Sequence, residues 1–215
     1  MEKLIITAQL KVPIILGGGY LTLDALLASL IFERTGDIEV SHTTVPLVCT
    51  DGLFHASAPL FEHFGSTGVA FVANLRATHA LDPDLILKNK HGDIHKQIGL
   101  TRRRDFGAVM NSYTSFDAPE FTWYAEGDGE AVEGLLADVK FIGKRRGSGF
   151  GEVAGWSVEQ GDLDGLVGPF GDPLRPIPLE MFKGNKEALK VDAAWRPAYW
   201  HPENRAICYA PGFVQ

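Results

Sequence analysis

Residues 4–10 alternate between apolar and polar positions. Leu4, Ile6, Ala8 and Leu10 share one face, and Thr7, Gln9 and Lys11 continue the other. A period of two predicts a strand with one buried side. Pro13 and Gly17-Gly18-Gly19 break it. The period then changes, with Leu23, Leu26, Leu27, Leu30 and Ile31 recurring at helical spacing. Thr22 is the expected N-cap and Gly36 the expected stop. Asp24 falls in the first turn, where a carboxylate suits the helix dipole. Residues 46–49, 53–58 and 68–75 read as extended, as do 106–113 and 121–126. A second helix carries Ala131, Val132, Leu135, Leu136 and Val139 on one face, with Asp128 as its expected N-cap. Ala154, Trp156 and Val158 then alternate as a last strand.

The order is strand, helix, strands, helix, strand. That predicts an α+β fold of the ferredoxin-like, RRM-like kind. Residues 76–104 lose the periodicity and read as an inserted thumb. The expected organisation is a domain over 1–160 with this insertion, and a C-terminal extension over 161–215. The extension, rich in proline and aromatics, reads as hairpins and irregular loops packed on the core as a lobe. Trp156 reads as core. Trp195, Tyr199 and Trp200 read either as core or as surfaces for bases or a partner.

Composition narrows the class. With 45% hydrophobic residues among 215, the chain can build a sizeable core and is expected to be a soluble, globular, cytoplasmic protein. The N-terminus does not read as a signal peptide, and no stretch is long and apolar enough for a membrane span. Cys49 and Cys208 form no CxxC and read as two free buried thiols, so zinc ribbons and thioredoxin-like chemistry are not expected. The net charge of −7 argues against a chain coated in nucleic acid, but the cations are clustered. Lys88, Lys90, Lys96 and Arg102-Arg103-Arg104 form one group, while Lys140 and Lys144-Arg145-Arg146 form another.

The second group lies in a glycine-rich run, FIGKRRGSGFGEV, over residues 141–153. A Walker A loop would need a glycine at Asp138 and Ser or Thr at Arg145. A kinase loop is one residue short. A Rossmann loop would follow a strand and open a helix, whereas this run follows a helix and opens a strand. What remains is either a solvated turn or a clamp on a nucleic-acid backbone. In the clamp, Gly143, Gly147 and Gly149 allow close approach of the main chain to phosphates. Lys144, Arg145 and Arg146 supply charge, Ser148 donates to phosphate or sugar, and Phe150 suits stacking on a base.

A G-K-R-R-G-x-G-x-G loop between the second helix and the last strand of such a fold resembles the signature of the CRISPR-associated RAMP superfamily (repeat-associated mysterious proteins). Leu23-Asp24-Ala25-Leu26-Leu27, His55-Ala56-Ser57, Pro197-Ala198-Tyr199-Trp200 and Cys208-Tyr209-Ala210-Pro211 add to it. They are similar to the subunit that caps the guide 5′ end in class 1 effector complexes, most of all its type IV version. The resemblance implies a non-catalytic, antiviral-defence subunit that grips the 5′ handle of the CRISPR RNA and contacts the backbone and large subunits. It leaves target DNA beside the flanking motif open as a further partner. The thumb, with Lys88, Lys90, His91, Lys96 and Arg102 to Arg104, would lie on RNA near the first spacer nucleotides. Sequence would be read by base pairing between guide and target.

Two alternatives stand beside this reading. Some relatives cleave precursor RNA by metal-independent acid–base chemistry, for which His55, His79, Tyr113 and Lys144 are the candidates. A standalone RRM-like module is the other, although the last strand lacks an RNP1 run of aromatics. No cofactor is expected. His91 and His95 stand four apart but without the glutamate of HExxH, so no metal site is expected either.

Overall fold

A computed structural model describes residues 1–17, 20–73, 91–92 and 109–211. The first part runs β1 (Glu2–Leu10), β2 (Ile14–Ile15), α1 (Leu23–Thr35), α2 (Ile38–Thr43), β3 (Cys49–Thr50), β4 (Leu53–Phe54) and β5 (Gly65–Ala73). Next come β6 (Val109–Asp117), β7 (Glu120–Gly127), α3 (Gly129–Leu136) and β8 (Val153–Gln160). The chain ends with β9 (Ile177–Pro178), β10 (Lys190–Ala194) and β11 (Arg205–Tyr209). It divides into two compact units, residues 1–67 with 115–215, and residues 68–114. In the second unit, Phe71 of β5 meets Tyr113 of β6 edge-on at 6.0 Å.

The larger unit is an α+β structure built on antiparallel pairing. Its central sheet has the order β7-β1-β8. Alternation produces the buried face: Leu4, Ile6 and Ala8 of β1 point the same way as Phe121, Trp123 and Ala125 of β7, and all six are buried. Helix α1 covers them with Leu23, Leu26, Leu27, Leu30 and Ile31, and α3 adds Val132 and Leu136. The Trp123 indole N–H donates to Leu21 O at 2.9 Å, satisfying the polar atom of a wholly buried ring. Isolated bridges from Ala56 to Ala125 and from Leu60 to Thr122 continue pairing at the outer edge of β7.

The expected helix termini are present, with one change of role. Gly36 closes α1 in a left-handed conformation, its N–H donating to Phe32 O. Asp128 caps α3 by accepting from Ala131 N at 3.1 Å. Thr22 occupies the N-cap position of α1, but its hydroxyl donates to Tyr199 and caps nothing. Helix α2 was not expected. It starts because the Asp37 carboxylate accepts from the N–H groups of Glu39 and Val40.

The C-terminal region forms a small antiparallel sheet, β10-β11-β9, over a second core of Leu53, Ile177, Phe182 and Tyr209. One expectation fails here. Cys208 is buried but Cys49 is exposed, although both are free thiols. Cys49 lies in a two-stranded ribbon, β3-β4, whose strands are only two residues long. No helix among the described residues is long and apolar enough to cross a membrane.

Candidate nucleic-acid interface

The glycine-rich loop leaves α3 and returns as β8. Its base is fastened to the segment that follows β1. Lys144 N donates to Ile15 O at 2.8 Å, Gly151 N to Pro13 O at 2.9 Å, and Ile142 N to Gly151 O at 2.9 Å. Strand β2 therefore lies between two partners. On one side Ile14 and Ile15 pair with Phe116 and Ser115 of β6, and on the other Ile15 bridges to Lys144.

The glycines divide into two kinds. At Gly143 (φ +80°) an added Cβ would lie 2.7 Å from Ile15 O, and at Gly151 (φ +69°) 2.0 Å from Ile142 O. These two let the loop close on its neighbours. Gly147 and Gly149 face open space. Between Gly143 and Gly149, Arg145 takes a left-handed conformation (φ 60°, ψ 30°), and Arg146–Ser148 form one 3-10 turn. The result is a fixed base under an exposed tip, rather than a slack turn.

Charge collects at that tip. Lys144, Arg146 and Ser148 are exposed, and Arg145 and Phe150 are half-buried. The Lys144 stem lies over Gly17, where an added Cβ would be 2.6 Å from Cε. Arg146 Nη2 reaches Glu33 Oε1 of α1 at 3.3 Å. The tip is therefore not a bare run of cations, since an acid from α1 attends one of them.

Other candidates are dispersed. His55 is held between Glu126, at 3.1 Å from Nδ1, and Thr50, at 3.0 Å from Nε2. Glu126 stands opposite Lys3 at the start of β1, whereas Lys144 joins the chain after its end. The ends of β1 are separated by roughly 26 Å at the usual rise per residue, so His55 and Lys144 do not form one acid–base pair. Tyr113 lies in β6, and His91 occupies an exposed turn. His79, Lys88, Lys90, Lys96, Arg102, Arg103 and Arg104, and most of the thumb expected over 76–104, lie outside the described residues. Among the described residues no cluster of His, Cys, Asp and Glu is suited to hold a metal ion.

The aromatic residues also separate. Trp123 is wholly buried, and Trp156 is only half-buried. Trp200 is exposed, while the Arg196 guanidinium lies 4.8 Å above the Trp195 ring. Tyr199 contributes its hydroxyl to a buried polar cluster with Asp24 and Arg175. Burial, and the Asp24 carboxylate beside it, hold that hydroxyl well above the ordinary phenol range.

Two open grooves flank the loop, and neither was expected. One, of about 560 Å³, runs between the end of α3 and the start of β8 and includes Lys11, Phe141 and Trp156. The other, of about 370 Å³, lies between Leu30 and Glu33 of α1 and Arg146 and Gly147 of the loop. Residues 139–141 border both.

The family model described as CRISPR type IV associated protein Csf3 matches residues 79–211, a span that includes β7, α3, the loop and β8. No curated protein matches the chain.

Proposed function

The chain belongs to the family of CRISPR type IV associated protein Csf3, and within that setting we propose that it is the RAMP subunit that grips the 5′ handle of the guide RNA. The observation that carries this reading is the loop: three consecutive cations, Lys144 to Arg146, held at an exposed tip whose base is hydrogen-bonded to residues 13–15. A fastened base spares the backbone part of the ordering cost on binding, and glycines at the tip leave room for a ribose–phosphate chain. In the effector complex the subunit meets the backbone and large subunits, and its inserted thumb crosses the guide. A ferredoxin-like ancestry is supported by the β8-β1-β7 order, the bridged outer edge beyond β7 and the two helices on one face.

The role is binding rather than catalysis. The separation of His55 from Lys144 removes one pairing that strand cleavage would use. Incubating the purified protein with repeat RNA in EDTA tests this: intact RNA is expected, and site-specific cleavage overturns it. Replacing Lys144, Arg145 and Arg146 together with alanine is expected to abolish guide retention and assembly. Undiminished RNA co-purification sinks the handle-binding reading.

A further inference from the structure

We propose that the groove beside the loop, between the C-terminal end of α3 and the start of β8, is a stacking site for one unpaired nucleobase of the bound RNA. The inference rests on the reading of the loop as an RNA contact and adds a subsite to it.

The groove has a fixed aromatic wall. The Trp156 indole N–H donates to Val139 O at 2.9 Å, and its ring packs on Trp123 with centroids 6.0 Å apart and planes 29° from parallel. A ring held by a hydrogen bond and a neighbouring indole cannot collapse into the groove it borders. Phe141 lines the same groove but lies outside the buried core, so its half-exposed ring has no evident packing duty there. The segments that carry the two rings are brought together by the bridge between Phe141 and Glu152.

Charge decides between a base and a phosphate. Lys11 is already engaged by Glu152 at 2.9 Å, and Glu133 adds a second carboxylate to the wall. With Lys140 also present the lining is balanced. A phosphate gains little in such a place, whereas a neutral planar ring with exocyclic donors finds both stacking surface and acceptors. The volume of about 560 Å³ accommodates a base and its ribose, while the phosphates on either side stay with the cations of the tip.

The test uses the full chain and random-sequence single-stranded RNA carrying 4-thiouridine, because stacking on aromatics tolerates any base. Irradiation followed by peptide mapping is expected to place crosslinks on Phe141 or Trp156. Crosslinks confined to other parts of the chain, with RNA still bound, overturn the subsite but leave the loop reading intact; the groove is then available to an extended segment of a partner protein along β8. Failure of the wild-type chain to bind RNA at all overturns both. A Phe141→Ala variant, checked for native circular dichroism, is expected to bind about tenfold more weakly with an unchanged salt slope, since losing a stacked base releases no counterions. Wild-type affinity in that variant also overturns the proposal.

Discussion

Arg175 Nη1 lies 3.1 Å from Asp24 Oδ1, and both side chains are wholly excluded from solvent. The pair joins the first turn of α1 to the C-terminal region, 151 positions later in the chain. Arg175 also donates to the carbonyls of Phe54, Ala56 and Trp195 and to the Tyr199 hydroxyl, and Tyr199 in turn donates to Asp24. Burial disfavours the Arg175 charge, but Asp24 and Tyr199 outweigh it, so its pKa is raised and the guanidinium stays charged. Breaking such a pair leaves one charge without a partner. Arg175→Leu or Asp24→Leu alone is expected to lower stability by about 3–5 kcal/mol. The double variant is expected to lose less than the sum of the two. Urea denaturation of all three checks both statements, and strict additivity would count against coupling.

The loop glycines permit a sharper contrast. Gly151→Ala places a Cβ against Ile142 O at a positive φ, so strain and displaced backbone act together. Gly147→Ala adds its Cβ in open space. The first is expected to destabilise the fold by more than about 1 kcal/mol, and the second by only tenths. Thermal melting of the two variants side by side tests whether the base of the loop, and not its tip, supports the fold.

Part of this was legible in the chain. The period of two over residues 4–10 and the helical period from Leu23 report single buried faces, and β1 and α1 follow them. Asp128 and Gly36 act as the capping chemistry predicts. The loop was legible because its glycines and cations are contiguous. Asp24 lies in the first turn of α1 as expected, but its pairing with Arg175 was not legible, because the two stand 151 positions apart and Arg175 sits in a proline-rich run. Helix α2 leaves little trace in the sequence because six residues, with Ile38, Val40 and Thr43 β-branched, show little period; its start depends on one carboxylate. The type IV relation, implied by the resemblance of segments 23–27, 55–57, 197–200 and 208–211 beside the loop, agrees with the family match.

The two thiols are expected to behave differently. Cys49 is exposed and Cys208 buried. Burial pushes the Cys208 thiol up from 9.0 to about 11, and burial also raises Cys49. In the native protein iodoacetamide is expected to modify Cys49 alone, slowly at pH 7 and faster as pH rises, since only the thiolate reacts. Cys208 is expected to react only after unfolding. The folded state holds the Cys208 proton more tightly than the unfolded chain. Its contribution to stability is therefore present below pH 9 and is lost as pH climbs through about 11. Mass spectrometry of modified peptides across pH 7–9 checks the order, and early labelling of Cys208 contradicts it.

Glu33 and Arg146 supply the last test. Their side chains are about half exposed, at 53% and 50%, and an ion pair so open contributes only about 0–1 kcal/mol. Glu33→Gln is therefore expected to leave the melting temperature nearly unchanged. Its effect on RNA is different in kind. In the native protein a phosphate approaching Arg146 must displace Glu33 and then remain beside its charge. Without that carboxylate, RNA affinity is expected to rise a few-fold. Its logarithmic salt dependence is expected to steepen by about 0.7 for each added phosphate contact to a single strand. Titration of labelled RNA at several salt concentrations measures both. Equal affinity and equal slope in the variant would mean that Arg146 takes no part in holding the backbone, and would leave Lys144 and Arg145 as the cations of the clamp.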